Sequence, residues 1–339
     1  MLCSVIIPAR NAASTIGECL LATLSQSLPK EHYEIIVVDD GSSDATARIA
    51  RQAGVRVIPQ PPRGAAAARN AGARSARGDV LVFLDTDCVP KLDWLAQMIA
   101  PLDDPAVAGV RGAYQSHEAG LFPRLIQAEW DETYRQLGRR PSIGAVSRNS
   151  AAYRRGAFLA AGGFDPTFSG AEDLDLSYRL TEAGHRLVFA PKAQVLHRHG
   201  HSVAGFVAQK VRAGLWQALL SARYPSEARA EAQASGTARA QLPLAAVAVA
   251  SLLAGARWRR ALPFAGLALL GFASSAGPSA WRARHAGADV VLAAPGLRFV
   301  GTLSLAIGLA AGRSVLVGHR AAQRLRRLGQ SFDRASDRG

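Results

Sequence analysis

Short apolar runs alternate with stretches of helical spacing along the first hundred residues of the chain. Strands are predicted at four apolar runs: Ser4–Pro8, Tyr33–Val38, Val55–Ile58 and Val80–Leu84. Helices are predicted between and after them, at about Ala12–Gln26, Asp44–Gln52, Ala65–Ala76 and Leu92–Ile99. Short apolar runs that alternate with helices are typical of a mostly parallel sheet covered by helices on both faces. The pattern therefore predicts an α/β fold.

Two carboxylates follow the fourth predicted strand. Asp85 and Asp87 are separated by one residue, and side chains two positions apart in an extended chain point the same way. In a parallel α/β sheet, ligands gather at the carboxyl ends of the strands. Mg²⁺ is commonly held by one or two carboxylates together with phosphate oxygens, and Mn²⁺ prefers similar ligands. The pair predicts a metal site, with a solvated turn at the strand end as the open alternative.

A second acidic group follows the strand at Tyr33–Val38. Asp39 and Asp40 lie where a nucleotide would bind, and a carboxylate there accepts hydrogen bonds from a base or a ribose. This favours Asp40 as a ligand, whereas Asp44 is expected to cap the next helix. The turn lacks the Gly-x-Gly-x-x-Gly pattern of dinucleotide folds, which disfavours a dehydrogenase.

Charge divides the chain into two unlike parts. Residues 1–200 carry 22 basic and 21 acidic residues, whereas residues 201–339 carry 18 basic and 5 acidic ones. The balanced first part argues against a nucleic-acid partner, because nucleic-acid binding needs a basic face. The chain has three cysteines, too few for a disulfide framework or a zinc site. A reducing cytoplasm is therefore the expected location of the first part.

Five motifs, taken together and in order, resemble those of the family 2 glycosyltransferases. Three look like the nucleotide-binding half of that family: Ser4–Asn11, Glu34–Asp44 and Ala67–Gly72. The fourth, Phe83–Asp87, is similar to the family's metal motif. The fifth combines Gly162–Asp165 with Glu172–Leu176 and looks like its acceptor-side signature. The resemblance covers roughly residues 3–200.

The resemblance implies a GT-A fold, a nucleotide-diphosphate sugar donor, a Mg²⁺ or Mn²⁺ ion, and inversion at the anomeric carbon. It assigns contacts with the donor nucleotide to four residues: Pro8, Asp40, Arg69 and Asp85. It assigns the metal to three residues: Asp87, Asp85 and His197. Asn149 and Glu172 resemble positions of the donor or acceptor pocket, and Asp173 matches the family's catalytic base.

The assigned residues also have simpler explanations, which the sequence leaves open. Negative charge at a helix N-terminus is favourable by about 0.3–1 kcal/mol, which would explain Glu172 and Asp173 without catalysis. Arg69 is alternatively an exposed helix arginine, and His197 a strand-end histidine without a ligand. Asp175 is expected to be a surface acid in the first turn of the same helix.

The basic second part contains three apolar runs: Leu242–Ala256, Ala261–Gly277 and Phe299–Gly312. Each is shorter than the roughly 20 apolar residues that span a bilayer. Membrane spans, helices in the headgroup layer and Ala-rich helices packed on the first part all remain open. Basic residues flank every run, so the positive-inside bias does not resolve the orientation. A hairpin with the first part inside would place Arg257–Arg260 outside, against that bias.

We therefore expect a catalytic domain at residues 1–200, a helical linker at 201–240, apolar helices at 241–318 and a basic tail at 319–339. The expected activity is metal-dependent transfer of a sugar to a hydroxyl of a lipid-linked acceptor or a cell-envelope glycan. Residues 241–328 are expected to attach the chain to a membrane, with the catalytic domain in the cytoplasm. A sugar nucleotidyltransferase is an alternative, but the first strand leads into no Gly-rich phosphate loop. A non-catalytic basic adaptor for membrane or nucleic acid is the third class, although no nucleic-acid partner is expected.

Overall fold

The computed structural model describes residues 1–336 apart from positions 117, 147–149, 169, 200, 201 and 235, and it describes side chains outside 230–239 and 318–336. The strands are β1 (Cys3–Ala9), β2 (Tyr33–Asp39), β3 (Arg56–Pro59), β4 (Val80–Leu84), β5 (Cys88–Pro90), β6 (Val107–Gln115), β7 (Ser150–Arg154) and β8 (Arg186–His197). The first helices are α1 (Ile16–Leu24), α2 (Thr46–Gln52), α3 (Ala65–Ser75), α4 (Trp94–Ile99), α5 (Leu121–Leu137), α6 (Arg155–Ala160) and α7 (Glu172–Glu182). The remaining helices are α8 (Val203–Arg223), α9 (Pro225–Ala234), α10 (Gly236–Gly255), α11 (Leu262–Arg282) and α12 (Ala288–Ser336).

The strands form one sheet in the order β3-β2-β1-β4-β7-β6-β8-β5. Strands β3, β2, β1 and β4 are parallel, and so are β6 and β8. The antiparallel pairings in the described chain all involve β5 or β7. The expected α/β fold with helices on the sheet is thus confirmed. The carboxyl ends of β1, β2 and β4 lie side by side at one edge of the sheet.

Buried apolar side chains cover both faces of the sheet. Ile7 and Val82 belong to one core cluster, together with Trp94 of α4. Ile6 and Phe83 belong to the other cluster. Successive residues of a strand point to opposite faces, so neighbours in sequence enter different clusters. Burial on both faces explains why these strands are continuous apolar runs.

Helix α3 lies close against the sheet at Gly72. A Cβ at this position would contact the Ile6 side chain and lie 3.2 Å from Cγ2 of Val38, tighter than ordinary packing. Glycine therefore lets α3 approach β1 and β2. Arg69, one turn earlier on α3, is buried as a result, with 2% of its side chain exposed.

All eight elements predicted within the first hundred residues are present, with ends shifted by a few residues. Helix α7 begins at Glu172 and ends at Glu182. Strands β6 and β8 and helix α5 were not predicted. Gly109 and Gly112 interrupt the apolar pattern of β6, and Pro191 interrupts that of β8. Tertiary pairing, rather than a local pattern, defines these two strands.

The chain divides into two compact units. Residues 1–201 and 279–292 form the first, which contains the whole sheet. Residues 202–278 and 293–339 form the second, which is helical. The boundaries expected from the sequence at residues 200, 240 and 318 stay a prediction.

Glycines bring α8 and α12 into backbone contact within the second unit. A Cβ at Gly308 would contact the carbonyl oxygen of Val211 and lie 2.8 Å from the nitrogen of Leu215. A Cβ at Gly301 would lie 3.1 Å from the Phe206 ring. Small residues at such positions are typical of closely packed helices.

Two stretches of the described residues are long and apolar enough to cross a membrane. The most apolar 18-residue window within residues 259–286 has a mean hydropathy of 1.3, and that within residues 288–317 has 1.8. The apolar segments are therefore longer in these two stretches than the runs identified from the sequence. Helix α12 begins at Ala288 rather than near Phe299, because the apolar residues around Pro295 continue the helix.

Candidate active site

Asp40 lies at the carboxyl end of β2 and fixes the loop before α3. Its Oδ1 accepts hydrogen bonds from Gln60 Nε2 at 2.7 Å and from the Arg63 N–H at 2.8 Å. Its Oδ2 accepts from the Gly64 N–H at 2.9 Å. The residue is only 3% exposed. This carboxylate therefore holds the backbone that leads into α3.

Asn11 joins the loop after β1 to the loop after β2. Its φ of 49° lies in the left-handed region, which asparagine tolerates. Its Oδ1 accepts from the Ser43 N–H at 2.9 Å, and its own N–H donates to Ser42 Oγ at 3.0 Å. Pro8 is half-buried and lies opposite Val38 in the parallel register. The two strand ends thus form one polar edge.

Arg69 connects the end of β4 to the start of α7. Its Nη2 lies 2.7 Å from Asp85 Oδ1, and its Nη1 lies 3.2 Å from Glu172 Oε1. Glu172 is also buried, and its Oε2 accepts from the Gly170 N–H at 2.8 Å. Three predicted site residues from distant parts of the chain therefore form one network.

The burial of Arg69 excludes the alternative of an exposed helix arginine. Its Nε has no hydrogen-bond partner among the described residues, and its guanidinium carbon lies 5.9 Å from the centre of the Phe164 ring. Burying charge is costly unless the charges are paired. The first role of this guanidinium is therefore to hold Asp85 and Glu172 in place.

Asp87 lies beside His197, where β5 pairs with β8. Cys88 is the register partner of His197, which brings the preceding Asp87 close. His197 Nε2 lies 3.4 Å from Asp87 Oδ2. The Asp87 side chain stays 49% exposed. Asp85 and Asp87 thus have different partners, the first Arg69 and the second His197.

A cavity of about 290 Å³ opens beside Asp87 and His197. Glu18 and Glu118 also line it, together with Arg198. Arg198 lies 3.9 Å from Glu18 on the exposed side. Ligand sites are typically cavities of about 300–1,000 Å³ with a few polar groups. This cavity is therefore large enough for part of a small-molecule ligand.

Asp173 is half-buried in the first turn of α7, next to Glu172. Its Oδ1 accepts from the Leu174 N–H at 2.9 Å. The fully buried Tyr153 hydroxyl has no hydrogen-bond partner among the described residues. Burial, and then the charge of Asp173, raise the pKa of this phenol. Because Glu172 is bound by Arg69, the turn that carries Asp173 is tied to the end of β4.

Asp175 is not the surface acid that the sequence predicted. It is fully buried, and its Oδ2 accepts from Arg179 Nε at 2.9 Å and Nη2 at 2.6 Å. Arg179 also donates to the carbonyl groups of Ala161 and Gly163. The pair therefore ties α7 to the loop after α6. Asp175 and Arg179 are four positions apart, which is a spacing typical of ion pairs on a helix, and this spacing could have indicated the pair from the sequence.

The comparisons with known proteins agree with this geometry. The model of the family "Glycosyl transferase family 2" matches residues 4–160. These residues are a family 2 glycosyltransferase domain. The matched segment runs from β1 to α6 and includes Asp40, Asp85 and Asp87. It ends before Asp173 and His197. The roles assigned to all five residues stay predictions.

Curated relatives cover different shares of the chain. The pre-mycofactocin glycosyltransferase of Mycobacterium tuberculosis is 33% identical over 235 residues, which are 66% of this chain and 48% of the relative. Glycosyltransferase AglE of Haloferax volcanii is 34% identical over 199 residues, 55% of this chain and 64% of the relative. The succinoglycan biosynthesis protein ExoA of Rhizobium meliloti is 27% identical over 273 residues, 76% of this chain and 80% of the relative. The chain thus spans about half to two thirds of the first two relatives.

Two solved structures resemble most of the chain. The mannosyltransferase PcManGT from Pyrobaculum calidifontis, in complex with GDP-Man and Mn²⁺, has a TM-score of 0.61 and 23% identity. The likeness covers 91% of this chain and 86% of that protein. TarS 1–349 of S. aureus gives a TM-score of 0.52 at 17% identity. These likenesses show a GT-A fold.

Three side chains that the sequence analysis did not single out lie around His197. His199 is 3% exposed, its Nδ1 lies 3.4 Å from Nδ1 of His197, and burial lowers its pKa to about 4. Its N–H donates to Glu118 Oε2 at 2.9 Å, and its Nε2 lies 3.0 Å from Gln127 Oε1. The His-x-His spacing was the sequence signal for His199. Gln127 lies on α5, a helix that was not predicted.

The metal expected for a family 2 glycosyltransferase can be tested against these residues. Within the described chain, no three or more His, Cys, Asp or Glu side chains form a metal-binding cluster. Asp87 and His197 nevertheless supply a carboxylate and an imidazole beside an open cavity. A cation that also binds donor phosphates and water needs few protein ligands, so this pair fits it. Asp85 has its Oδ1 bound by Arg69, and Asn149 lies outside the described residues.

Proposed function

We propose that this chain transfers a sugar from a nucleotide-diphosphate donor to a hydroxyl group of an acceptor, with inversion at the anomeric carbon. The main support is the convergence of the predicted acids around one edge of the sheet. Asp87 faces the cavity, while Arg69 joins Asp85 to Glu172 at the start of α7. The family 2 domain at residues 4–160 supports the same reaction class.

Asp173 is proposed as the catalytic base. It takes the proton of the acceptor hydroxyl as that oxygen attacks the anomeric carbon, and the bond from this carbon to the donor diphosphate breaks. A positioned base contributes about 10²–10⁴ in rate, provided that it reaches the proton. The contacts of Glu172 with Arg69 and Gly170 support this role, because they fix the turn that carries the base.

Asp87 and His197 are the residues proposed to hold the metal, with Asp85 as the further ligand or a ribose contact. The ion, Mg²⁺ or Mn²⁺, supplies positive charge to the leaving diphosphate when it is bound. The exposed side chain of Asp87 and the adjacent cavity leave room for phosphate oxygens. The Mn²⁺ and GDP-Man in the PcManGT complex support this class of ligand.

The nucleotide is proposed to lie along the carboxyl ends of β1 and β2, beside Pro8. Asp40 already accepts three hydrogen bonds from Gln60 and the Arg63–Gly64 backbone, so we expect it to shape the nucleotide-binding loop. Arg69 is expected to act on the donor together with Asp85, its carboxylate partner. We also propose that Asn149 and Glu172 belong to the donor or acceptor pocket.

The acceptor is proposed to be lipid-linked or a cell-envelope glycan. One relative is named for the biosynthesis of succinoglycan, which is a glycan. Exposed apolar residues on the C-terminal helices favour attachment to a membrane; they include Leu253, Trp258, Leu267, Leu270, Trp281 and Ile307. Only 22% of the most apolar 18-residue window of each candidate span is buried in the described structure. Large exposed apolar surfaces of this kind mark contact with a membrane or a partner.

The packing of α8 against α12 favours helices that lie in the membrane surface over helices that cross it. Gly301, near the middle of residues 288–317, lies beside Phe206, and Lys210 is its next neighbour. If α12 crossed the bilayer, Lys210 and the exposed Arg212 would be drawn toward the hydrocarbon core. Each charge costs about 2.5–3.5 kcal/mol there on insertion scales. Surface helices avoid this cost, since Trp and Arg suit the headgroup layer.

A surface location also resolves the conflict over orientation. The turn between α11 and α12 belongs to the unit that contains the sheet. In this turn, Arg282 lies 3.0 Å from Glu132 of α5, and Asp289 pairs with Arg124. Helices lying in one leaflet keep this turn and Arg257–Arg260 on the cytoplasmic side. Each basic residue near an anionic surface contributes about 1 kcal/mol to binding.

The activity is tested by screening nucleotide sugars with the full-length protein and Mn²⁺. We expect one donor to release its nucleoside diphosphate, and Asp87→Ala to abolish the metal-dependent release. The control is Asp93→Asn, which changes an exposed acid just before α4. Release without Mn²⁺, or an Asp87→Ala variant as active as wild type, would refute the metal assignment. No release from any donor would contradict the proposed reaction.

A further inference from the structure

The side-chain amide of Gln127 is held in one orientation on α5. Its Nε2 donates to the carbonyl oxygen of Tyr114 at 3.3 Å and to Asp131 Oδ1 at 2.8 Å. Both partners only accept hydrogen bonds, so the amide nitrogen must face them. The Oε1 atom therefore faces the other way, where it lies 3.0 Å from Nε2 of His199.

The orientation of Gln127 fixes the tautomer of His199. Because Gln127 Oε1 can only accept, the hydrogen of the His199 ring is on Nε2. The ring is 3% exposed, and a neutral imidazole carries a single N–H. Its Nδ1 is therefore an acceptor, and it lies 3.4 Å from Nδ1 of His197. His197 must then carry a hydrogen on Nδ1.

The tautomer of His197 leaves its other nitrogen facing a carboxylate. With the hydrogen on Nδ1, a neutral His197 has its lone pair on Nε2, which lies 3.4 Å from Asp87 Oδ2. Two electron-rich atoms repel one another at this distance unless a proton or a cation lies between them. The cavity next to Asp87 gives a cation access to the pair.

We propose that Gln127 and His199 are positioning residues that set the tautomer of His197, so that its Nε2 and Asp87 together receive a divalent cation. The inference rests on the proposed metal-dependent function and assigns a task to α5, which contributes no ligand itself. Metal-binding histidines typically donate their second N–H to a partner that fixes the ring. Here that partner is another histidine, itself fixed by an amide.

The first test measures the tautomers directly in the metal-free, full-length protein. Histidine-selective ¹⁵N labelling and long-range ¹H–¹⁵N spectra show which ring nitrogen carries the hydrogen. We expect Nε2–H for His199 and, in Gln127→Leu, a mixture of both tautomers. The matched control is Gln136→Leu, on the same helix, where the amide binds Glu132 instead. Nδ1–H at His199 in the wild type, or no change in Gln127→Leu, would overturn the inference.

The second test measures Mn²⁺ binding by the EPR signal of free Mn²⁺, with UDP and with GDP present. His199→Phe keeps a ring but removes the acceptor, so we expect roughly 10–100-fold weaker Mn²⁺ affinity. His199→Asn places Oδ1 near the position of Nδ1, so we expect affinity close to wild type. Circular dichroism checks that both variants fold. Equal affinities for the two variants would contradict the inference.

The two tests also separate this inference from the proposed function. The tautomer of His199 needs no nucleotide and no turnover to be measured. If the tautomer and the Mn²⁺ affinities follow the expectation but no sugar is transferred, the proposed reaction fails and the positioning role stands. If transfer occurs but His199→Phe binds Mn²⁺ like the wild type, the positioning role fails and the reaction stands.

Discussion

The sheet and the C-terminal helices use apolar residues in opposite ways. All five residues of β4 are buried, because helices cover both faces of the sheet. In the most apolar 18-residue window of each candidate span only 22% of the residues are buried. An apolar strand thus predicts an internal partner, whereas an apolar helix here requires an external one. The two regions have similar hydrophobic content and differ in what covers it.

Charge separates the same two regions. The first 200 residues are nearly neutral, whereas residues 201–339 carry 18 basic and 5 acidic residues. In the sheet domain, charges such as Arg69 and Asp175 are buried in pairs that hold elements together. In the helical region, exposed arginines flank the apolar helices, as expected for contact with an anionic surface.

Cysteine labelling distinguishes helices that cross the membrane from helices that lie in its surface, and we expect it to give the largest effect. Arg257→Cys and His285→Cys place thiols in the turns before and after α11, and Glu31→Cys marks the sheet domain. If the helices lie in the cytoplasmic leaflet, an impermeant maleimide labels all three in inverted vesicles and none in intact cells. The native cysteines give little background, because all three are buried: Cys3, Cys19 and Cys88.

Labelling of Arg257→Cys in intact cells is the outcome that would show a crossing helix. His285→Cys should then still be protected, because its turn is tied to the sheet domain through Glu132 and Arg124. Labelling of Glu31→Cys in intact cells would place the sheet domain outside and contradict the cytoplasmic location.

Asp173→Asn tests the proposed catalytic base of the sheet domain. Asparagine keeps the size of the side chain but cannot take a proton, so we expect transfer to fall by about 10²–10⁴. Donor binding should persist, because the predicted nucleotide and metal residues are unchanged. The measurements are initial transfer rates and calorimetric titration with the donor. Glu182→Gln, at the other end of α7, is the control, and near-normal transfer by Asp173→Asn would refute the base assignment.

The sequence predicted the parallel half of the sheet because its signals are local. Apolar runs buried on both faces identify β1, β2 and β4 without any knowledge of their neighbours, and acidic turns follow β2 and β4. The same local signals placed Asp85 and Asp87 at a strand end. They could not show that Arg69 binds Asp85 and Glu172, because residues 69 and 172 are 103 positions apart.

The second half of the sheet could not be predicted for the same physical reason. Strand β6 contains glycines and Arg111, and it is defined by pairing with β7 and β8. Helix α5 was not predicted, and only Pro123 and Leu125 of its 17 residues are buried. Gln127 lies on that helix. The sequence therefore did not indicate the two proposed positioning residues, Gln127 and His199, as a pair.

Arg69→Met tests whether the buried network stabilises the sheet domain. The substitution leaves Glu172 buried without its cation, which typically costs about 3–5 kcal/mol. We expect the urea midpoint of unfolding to fall, as measured by circular dichroism. Arg74→Met is the control, because Arg74 is exposed on the same helix. Equal midpoints for the two variants would show that the network has no structural role.

Glu132→Gln tests the one turn of the C-terminal helices that belongs to the sheet domain. Glu132 is 9% exposed; burial opposes its charge, but hydrogen bonds from Arg135, Arg282 and Gln136 lower its pKa from 4.5 to about 2. A carboxyl group whose pKa is lower in the folded than in the unfolded protein stabilises the folded state at pH values above its unfolded-state pKa. The contribution is therefore complete above about pH 4.5 and is lost as the pH falls toward 2.

We expect Glu132→Gln to lower the free energy of unfolding by about 1–2 kcal/mol at pH 7, because the arginine partners are partly solvated. The difference from wild type should shrink between pH 4.5 and pH 2, as the wild-type carboxylate becomes protonated. Urea unfolding at a series of pH values measures this difference in the free energy of unfolding. Glu31→Gln, which changes an exposed acid, is the control. A difference that does not change with pH would mean that packing, rather than charge, joins Glu132 to Arg282.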